Sequence, residues 1–291
     1  MAKHYLLIFG LGYSGRTIAK AAMQAGFAVT VTSRTPLARP EPGITIIPFD
    51  AAQSAIAAAT HIIATAAPDE HGDPILARYA AQITAAPNLN YIGYLSTTGI
   101  YGDQNGGWVD EETPPNPQSP RAQRRIAAEQ GWSKFAQIPA KTIDIFRLAG
   151  IYGPGRSMFD DLRAGTARRV VKPGHLFGRI HREDIAQGVL TAMQRPAQPG
   201  TAIFNFADDE PAASADVVVE AAKLLNMPPP APVPYAEAVA KMSPMALSFW
   251  SENRRVSAEK TKAALNLAWK YPTYREGLRA ILAEERAHRP A

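Results

Sequence analysis

Apolar runs of strand length alternate with helix-length stretches from the N-terminus to Arg147. Tyr5-Leu6-Leu7-Ile8-Phe9 is continuous, too short for a helix and closed by glycine, which predicts a buried strand. Ser14 to Ala25 reads as a helix, Gly26 ends it, and Phe27 to Thr32 reads as a second strand. Further strands are expected at Ile44–Ile47, His61–Ala64, Tyr91–Leu95 and Thr142–Arg147. Helices are expected over 51–59, 72–86 and 121–135. Pro36 to Gly43 reads as a proline-rich turn, and Asp69 to Asp73 as a surface loop that caps the helix after it. Gly102 to Pro120 reads as a loop carrying the acidic patch Asp110-Glu111-Glu112. This alternation predicts an α/β fold with a doubly wound, mostly parallel sheet and right-handed crossovers.

After Gly150 the pattern breaks. Ile151 to Arg156 reads as a turn, with helices over 158–167 and 179–193, Asp184 lying near the start of the second. A late strand at Ile203–Phe206, a helix over 213–225 and a proline-rich linker over 227–234 follow. Residues 1–155, joined by 180–207, are expected to form a dinucleotide-binding Rossmann domain. Residues 156–179 and 208–291 are expected to form a smaller C-terminal substrate lobe. Trp250, Trp269 and Tyr271 read as packing residues. Ala236 to Ser251, with Met242, Met245, Phe249 and Trp250, reads first as core, with a lid or a partner face as alternatives.

The first turn carries the chemistry. Gly10-Leu11-Gly12-Tyr13-Ser14-Gly15 is a G-x-G-x-x-G run between a strand and a helix. Gly10 suits the tight turn, Gly12 lets the backbone approach a pyrophosphate, and Gly15 lets helix and strand pack closely; the helix N-terminus adds free N–H groups. Ser33-Arg34 closes the second strand with no carboxylate for a ribose 2′-hydroxyl. Arginine there suits a 2′-phosphate, so NADP(H) is favoured with NAD(H) possible; the alternative is an Arg34 that merely faces solvent. Asp50 falls near the expected adenine position, and the small residues Thr65, Ala66 and Ala67 leave room beside the middle of the dinucleotide. Ser96, Thr97 and Thr98 bring three hydroxyls to the carboxyl end of a strand, where open sheets bind ligands.

Composition narrows the rest. The chain has 291 residues and no cysteine, which excludes disulfides, thiolate catalysis and cysteine-bound zinc. His71 and its neighbours lack a second ligand cluster, so no metal site is expected. There is no run of about 18 apolar residues and no signal-peptide pattern, so no membrane contact and a cytoplasmic location are expected. Net charge is +5 and dispersed, apart from Arg121-Arg124-Arg125 and Arg163-Arg168-Arg169-Lys172. Neither group has aromatic interleaving or a helix-turn-helix pattern, so small phosphate-bearing molecules or a solvated face are expected rather than nucleic acid.

Five segments together resemble the extended, or atypical, short-chain dehydrogenase/reductase superfamily, the NAD(P)-dependent epimerase/dehydratase group. They are the glycine run, Ser96 to Gly102, Arg147 to Arg156, His181 to Ala186, and Phe204-Asn205-Phe206-Ala207-Asp208. The resemblance implies an oxidoreductase or epimerase acting on a small carbonyl or nucleotide-sugar-like substrate, and permits a homodimer through the 72–86 and 121–135 helices. It also implies a Tyr-x-x-x-Lys pair four and eight residues before Glu129, where this chain has Arg125 and Arg121. Arginine keeps its proton, so Arg121 cannot be the acid/base, while Arg125 can still hold ribose hydroxyls. Thr97 takes the family's Ser/Thr position, with Thr98 as a neighbour that can replace it. Tyr101 and Tyr152 are the replacement acids to consider, and His175 and His181 titrate in a suitable range. Arg156, His175, Arg179 and Lys172 are candidate contacts to an anionic substrate. A dinucleotide-binding sensor without turnover is the alternative.

Overall fold

The computed structural model describes residues 4–35 and 41–287, the Met245 side chain excepted, so most of the turn expected from Pro36 lies outside the described residues. The first half contains β1 (Tyr5–Phe9), α1 (Tyr13–Gln24), β2 (Ala28–Ser33), β3 (Ile44–Pro48), α2 (Gln53–Ala58), β4 (His61–Ala64), α3 (Pro74–Ala85), β5 (Tyr91–Thr97), β6 (Trp108–Val109), α4 (Pro120–Ser133) and β7 (Thr142–Leu148). The second contains β8 (Gly150–Tyr152), α5 (Met158–Arg163), β9 (Arg169–Val171), β10 (Arg179–His181), α6 (Arg182–Gln194), β11 (Gly200–Phe206), α7 (Ser214–Leu224), β12 (Pro232–Pro234), α8 (Tyr235–Ala238), α9 (Pro244–Trp250), β13 (Arg255–Val256), α10 (Glu259–Leu265) and α11 (Tyr274–Ala287).

Seven strands make one parallel sheet in the order β11-β7-β5-β4-β1-β2-β3. The unbroken apolar runs bury both of its faces. Leu6 and Ile8 pack with Ile18 of α1 and Val189 of α6. Leu7 and Ile62 pack with Ile56, Tyr79 and Trp132 on the opposite face. A third cluster joins Tyr152, Phe159 and Leu162 to Val218, Leu278 and Ile281, and so gathers α5, α7 and α11 around their own core. The carboxyl ends of β1, β4 and β5 lie side by side because these strands are neighbours and parallel.

Local chemistry sets the ends of the elements. Asp73 caps α3, accepting from Ile75 N at 2.8 Å and Leu76 N at 3.1 Å, and takes the Trp132 indole N–H at 2.9 Å. The segment from Arg179 begins as strand β10, paired with β8, rather than as helix. The helix starts at Arg182 because the His181 ring accepts from Glu183 N at 3.3 Å as its cap. Helix α5 stops at Arg163, just before Gly165 turns the backbone to φ 68°.

A buried polar chain ties the sheet to the C-terminal part. The Ser96 hydroxyl donates to Glu129, and Arg147 Nη2 donates to Glu129 Oε2 at 2.9 Å. Arg147 Nη1 donates to the Tyr101 hydroxyl at 2.9 Å, which donates to Asn205 Oδ1 at 2.8 Å. Asn205 Nδ2 donates to Ser257 O at 3.2 Å, while Glu111 accepts from Asn205 N and Thr261 Oγ1. Glu129 and Arg147 are almost wholly buried, so an ion pair with these further hydrogen bonds is the arrangement that makes their burial tolerable.

Candidate functional site

The glycine turn divides its three roles by geometry. Gly10 has φ 109°, a conformation that favours glycine, and Thr65 Oγ1 lies 2.6 Å from where its Cβ would be. A Cβ on Gly15 would lie 2.2 Å from Gly10 O, so α1 can approach β1 this closely only without a side chain. A Cβ on Gly12 would meet nothing within 4 Å. Helix α1 has no side-chain cap, and its N–H groups face that open space. These are the features of a cradle for a phosphate-bearing group, and the residues present fit a dinucleotide.

Of the residues expected at the cofactor, Ser33 and Arg34 lie at the end of β2, Asp50 after β3 and Thr65 after β4. Thr65 shares its hydroxyl proton between Phe9 O at 3.0 Å and Gly10 O at 3.1 Å, which braces the glycine turn. Ser33 Oγ donates to Thr35 O at 2.6 Å. Arg34 and Asp50 are exposed, and Leu11, Ala66 and Ala67 lie at the same edge of the sheet. The Tyr13 hydroxyl reaches away from its own helix to donate to Pro154 O at 3.0 Å, with Arg182 and Arg156 over its ring at 5.3 and 5.8 Å. Burial raises its pKa, and Arg182 opposes that shift.

A cleft of about 490 Å³ opens between the ends of β5 and β7 and the C-terminal elements. Its walls bring together Thr97, Thr98, Arg125, Tyr152, Arg156 and Arg179. Thr97 Oγ1 accepts from Gly99 N at 3.1 Å, which leaves its proton free for a ligand oxygen. Arg125 Nη1 donates to the Tyr94 hydroxyl at 2.9 Å and to Leu95 O at 2.8 Å, so part of this guanidinium is spent on the wall itself. Arg179 Nη1 donates to Phe177 O and Ala212 O at the floor. Burial raises the Tyr152 phenol far above its ordinary value, so it is a hydrogen-bond donor and not a source of phenolate.

Four expected site residues lie elsewhere. Tyr101 is fully buried, because Arg147 and Asn205 hold its hydroxyl in the polar chain behind the cleft. His175 is packed against Phe177 and Trp250 at ring distances of 4.6 and 5.3 Å, and burial lowers its pKa. Lys172 donates to Trp250 O and lies over Tyr235, so it holds α9 in place. His181 sits between Tyr152 and Tyr271, with its pKa pushed by burial to about 4.

Sequence reasoning missed the far wall. Phe249, 54% exposed, and Trp250 present α9 to the cleft, which makes this segment a wall and not core. Arg254 lines it too, paired with Glu252 at 2.6 Å and donating to Gly102 O at 2.9 Å. Tyr274 contributes a buried hydroxyl with no partner among the described residues. None of these stands in a local motif. The one available signal was a cluster of aromatic and basic residues in a stretch with weak periodicity.

No protein-family model matches the chain. The Escherichia coli K12 protein YeeZ is 27% identical over 240 residues, which are 77% of this chain and 84% of YeeZ. A functionally unknown conserved protein from Silicibacter pomeroyi is 41% identical, covers 97% of this chain and 99% of its own, and superposes with a TM-score of 0.86. MoeE5, solved with UDP-glucuronic acid and NAD, is 18% identical with a TM-score of 0.79 over 97% of this chain and 99% of its own. The human epimerase family protein SDR39U1, solved with NADPH, is 17% identical with a TM-score of 0.72 over 96% and 99%. The parallel sheet order, the glycine turn on β1 and these likenesses across the whole length converge on one conclusion. The chain shares the α/β fold of these solved structures, a parallel sheet with a glycine turn on β1.

Proposed function

We propose that the protein binds NADP(H) and acts as an oxidoreductase or epimerase on a small carbonyl or nucleotide-sugar-like substrate. The observation that carries this reading is the line formed by three strand ends: the open glycine turn on β1, Thr65 after β4, and Thr97 and Thr98 after β5 on the cleft wall. A dinucleotide on the turn would supply hydride chemistry beside those hydroxyls. Arg34, exposed at the end of β2, favours a 2′-phosphate. Thr97 and Thr98 would polarise the substrate oxygen, while the Tyr152 hydroxyl donates to Thr273 O at 3.5 Å beside α11. The core formed by α5, α7 and α11 would serve as the substrate lobe. A cytoplasmic location and a homodimer through α3 and α4 are compatible with this reading. Among the described residues no helix is long and apolar enough to cross a membrane.

Arg121 and Arg125 at the relay positions favour a second reading, a cofactor-binding sensor without turnover. One experiment separates the two. NADPH binding is followed by fluorescence, and NADPH oxidation by absorbance with a panel of carbonyl compounds and nucleotide sugars. Binding with turnover supports the enzyme, binding without turnover supports the sensor, and no binding overturns both.

A further inference from the structure

Of the six charged side chains lining the cleft, Arg254 and Glu252 form an ion pair with each other. Arg179 is held by the backbone, its Nη1 donating to Phe177 O at 2.9 Å and to Ala212 O at 3.2 Å. Arg121, Arg125 and Arg156 line the same cleft and form no ion pair with any described residue. Arg121 stacks on Phe249 and Arg156 on Tyr13, contacts that orient a guanidinium without neutralising it. Arg124 adds a fourth charge beside them, with its Nε buried and unpartnered. Burial lowers the pKa of Arg121, and repulsion from Arg125, Arg156 and Arg124 lowers it further.

Position makes the arrangement still less favourable. Arg121, Arg124 and Arg125 occupy the first two turns of α4, and the first turn holds no acidic residue. That is the positive end of the helix, where cations are destabilising and anions are favoured. The N-cap is already taken by Ser119, whose hydroxyl accepts from Ala122 N at 3.2 Å, so the helix start is complete and the arginines are not substitutes for a cap. Three converging cations at a positive helix end destabilise the ligand-free protein unless an anion offsets them. A monocarboxylate would leave most of that charge standing, whereas a phosphate monoester or pyrophosphate matches it.

We propose that the start of α4 together with Arg156 forms a binding site for a phosphoryl group, so that the cleft takes a phosphorylated substrate held by Arg121, Arg125 and Arg156. The positions expected to run a proton relay thus hold the substrate's charged end. This rests on the reading of the cleft as the substrate site, but not on cofactor binding or turnover.

Calorimetry with inorganic pyrophosphate, at matched ionic strength and without nucleotide, tests it. Pyrophosphate is expected to bind the wild type, and Arg121→Gln and Arg156→Gln are each expected to weaken binding about tenfold. Both residues keep much of their surface in solvent and form no ion pair with a described residue, so these variants are expected to fold. Their ligand-free melting temperatures should equal or exceed that of the wild type. Gly12→Asp, which removes the glycine turn as a competing phosphate site, should leave this binding intact. Absence of pyrophosphate binding, unchanged binding in both arginine variants, or its loss in Gly12→Asp alone would overturn the proposal. NADPH binding, measured separately on the wild type, reports on the broader functional reading.

Discussion

Helix α1 starts on Gly12 with no side-chain cap and open space before it, whereas α4 starts on the Ser119 hydroxyl and crowds arginines into its first two turns. The first offers a ligand its backbone, and nothing in the turn is charged. The second has satisfied its backbone and offers side chains. A backbone site depends on fixed spacing, because each glycine answers to one steric demand. A side-chain site needs only convergence, and residues from distant parts of the chain supply it: Arg121 and Arg125 from α4, Arg156 from a turn, and Phe249 from α9. The two kinds of site therefore differ in how they fail under mutation.

The largest effect is expected at the closest contact. Gly15→Val would push its Cβ into Gly10 O and is expected to cost about 3 kcal/mol of stability in urea denaturation. A loss well under 1 kcal/mol would break the claim that α1 needs a bare backbone against β1. Gly12→Asp should behave oppositely, since its Cβ meets nothing. Melting temperature should hold, while the added charge weakens NADPH binding by on the order of 100-fold in a fluorescence titration. Equal loss of stability in both variants would erase the distinction between the packing glycine and the approach glycine.

The floor beside Arg179 gives an intermediate effect that depends on pH. Burial pushes Asp208 up to about 8 from its ordinary 3.8. Between those values the folded state keeps a proton that the unfolded chain releases, so stability falls as pH rises. Asp184, raised by burial to about 6, acts in the same sense. His61 and His181, pushed by burial to about 4, act in the opposite sense up to their ordinary 6.5. The four roughly offset one another below pH 6.5, which leaves Asp208 alone above it. Unfolding free energy should fall by about 2 kcal/mol from pH 6.5 to 8, and Asp208→Asn should flatten that slope. The smallest effect is expected at exposed Arg34: Arg34→Glu should move the NADPH-to-NADH affinity ratio by about tenfold, with no change in melting temperature.

The sheet was legible because each buried strand is an unbroken apolar run, and β1, β4, β5 and β7 fall where those runs predict. The start of α6 was not, because a histidine cap looks like part of the helix it begins. The short strand pairs β6–β13 and β9–β12 join residues too far apart for any local pattern to reveal. In the site, the glycine turn was readable from spacing alone. Tyr101 and His175 were misplaced for a common reason: a polar ring near a functional segment reads the same whether it faces a cleft or a buried partner. Tyr274 was invisible because its role depends on α11 folding back onto Tyr152, where Gly277 leaves room for the ring.

The polar chain from Ser96 through Glu129, Arg147 and Tyr101 to Asn205 has a consequence for movement. Moving Ser257 and Thr261 away from the sheet would break the bonds they make with Asn205 Nδ2 and Glu111 at the end of this chain. The core of α5, α7 and α11 takes no part in this chain, and the exposed Phe249 of α9 lines the cleft. The polar chain therefore restrains Ser257 and Thr261 and sets no limit on motion of that core.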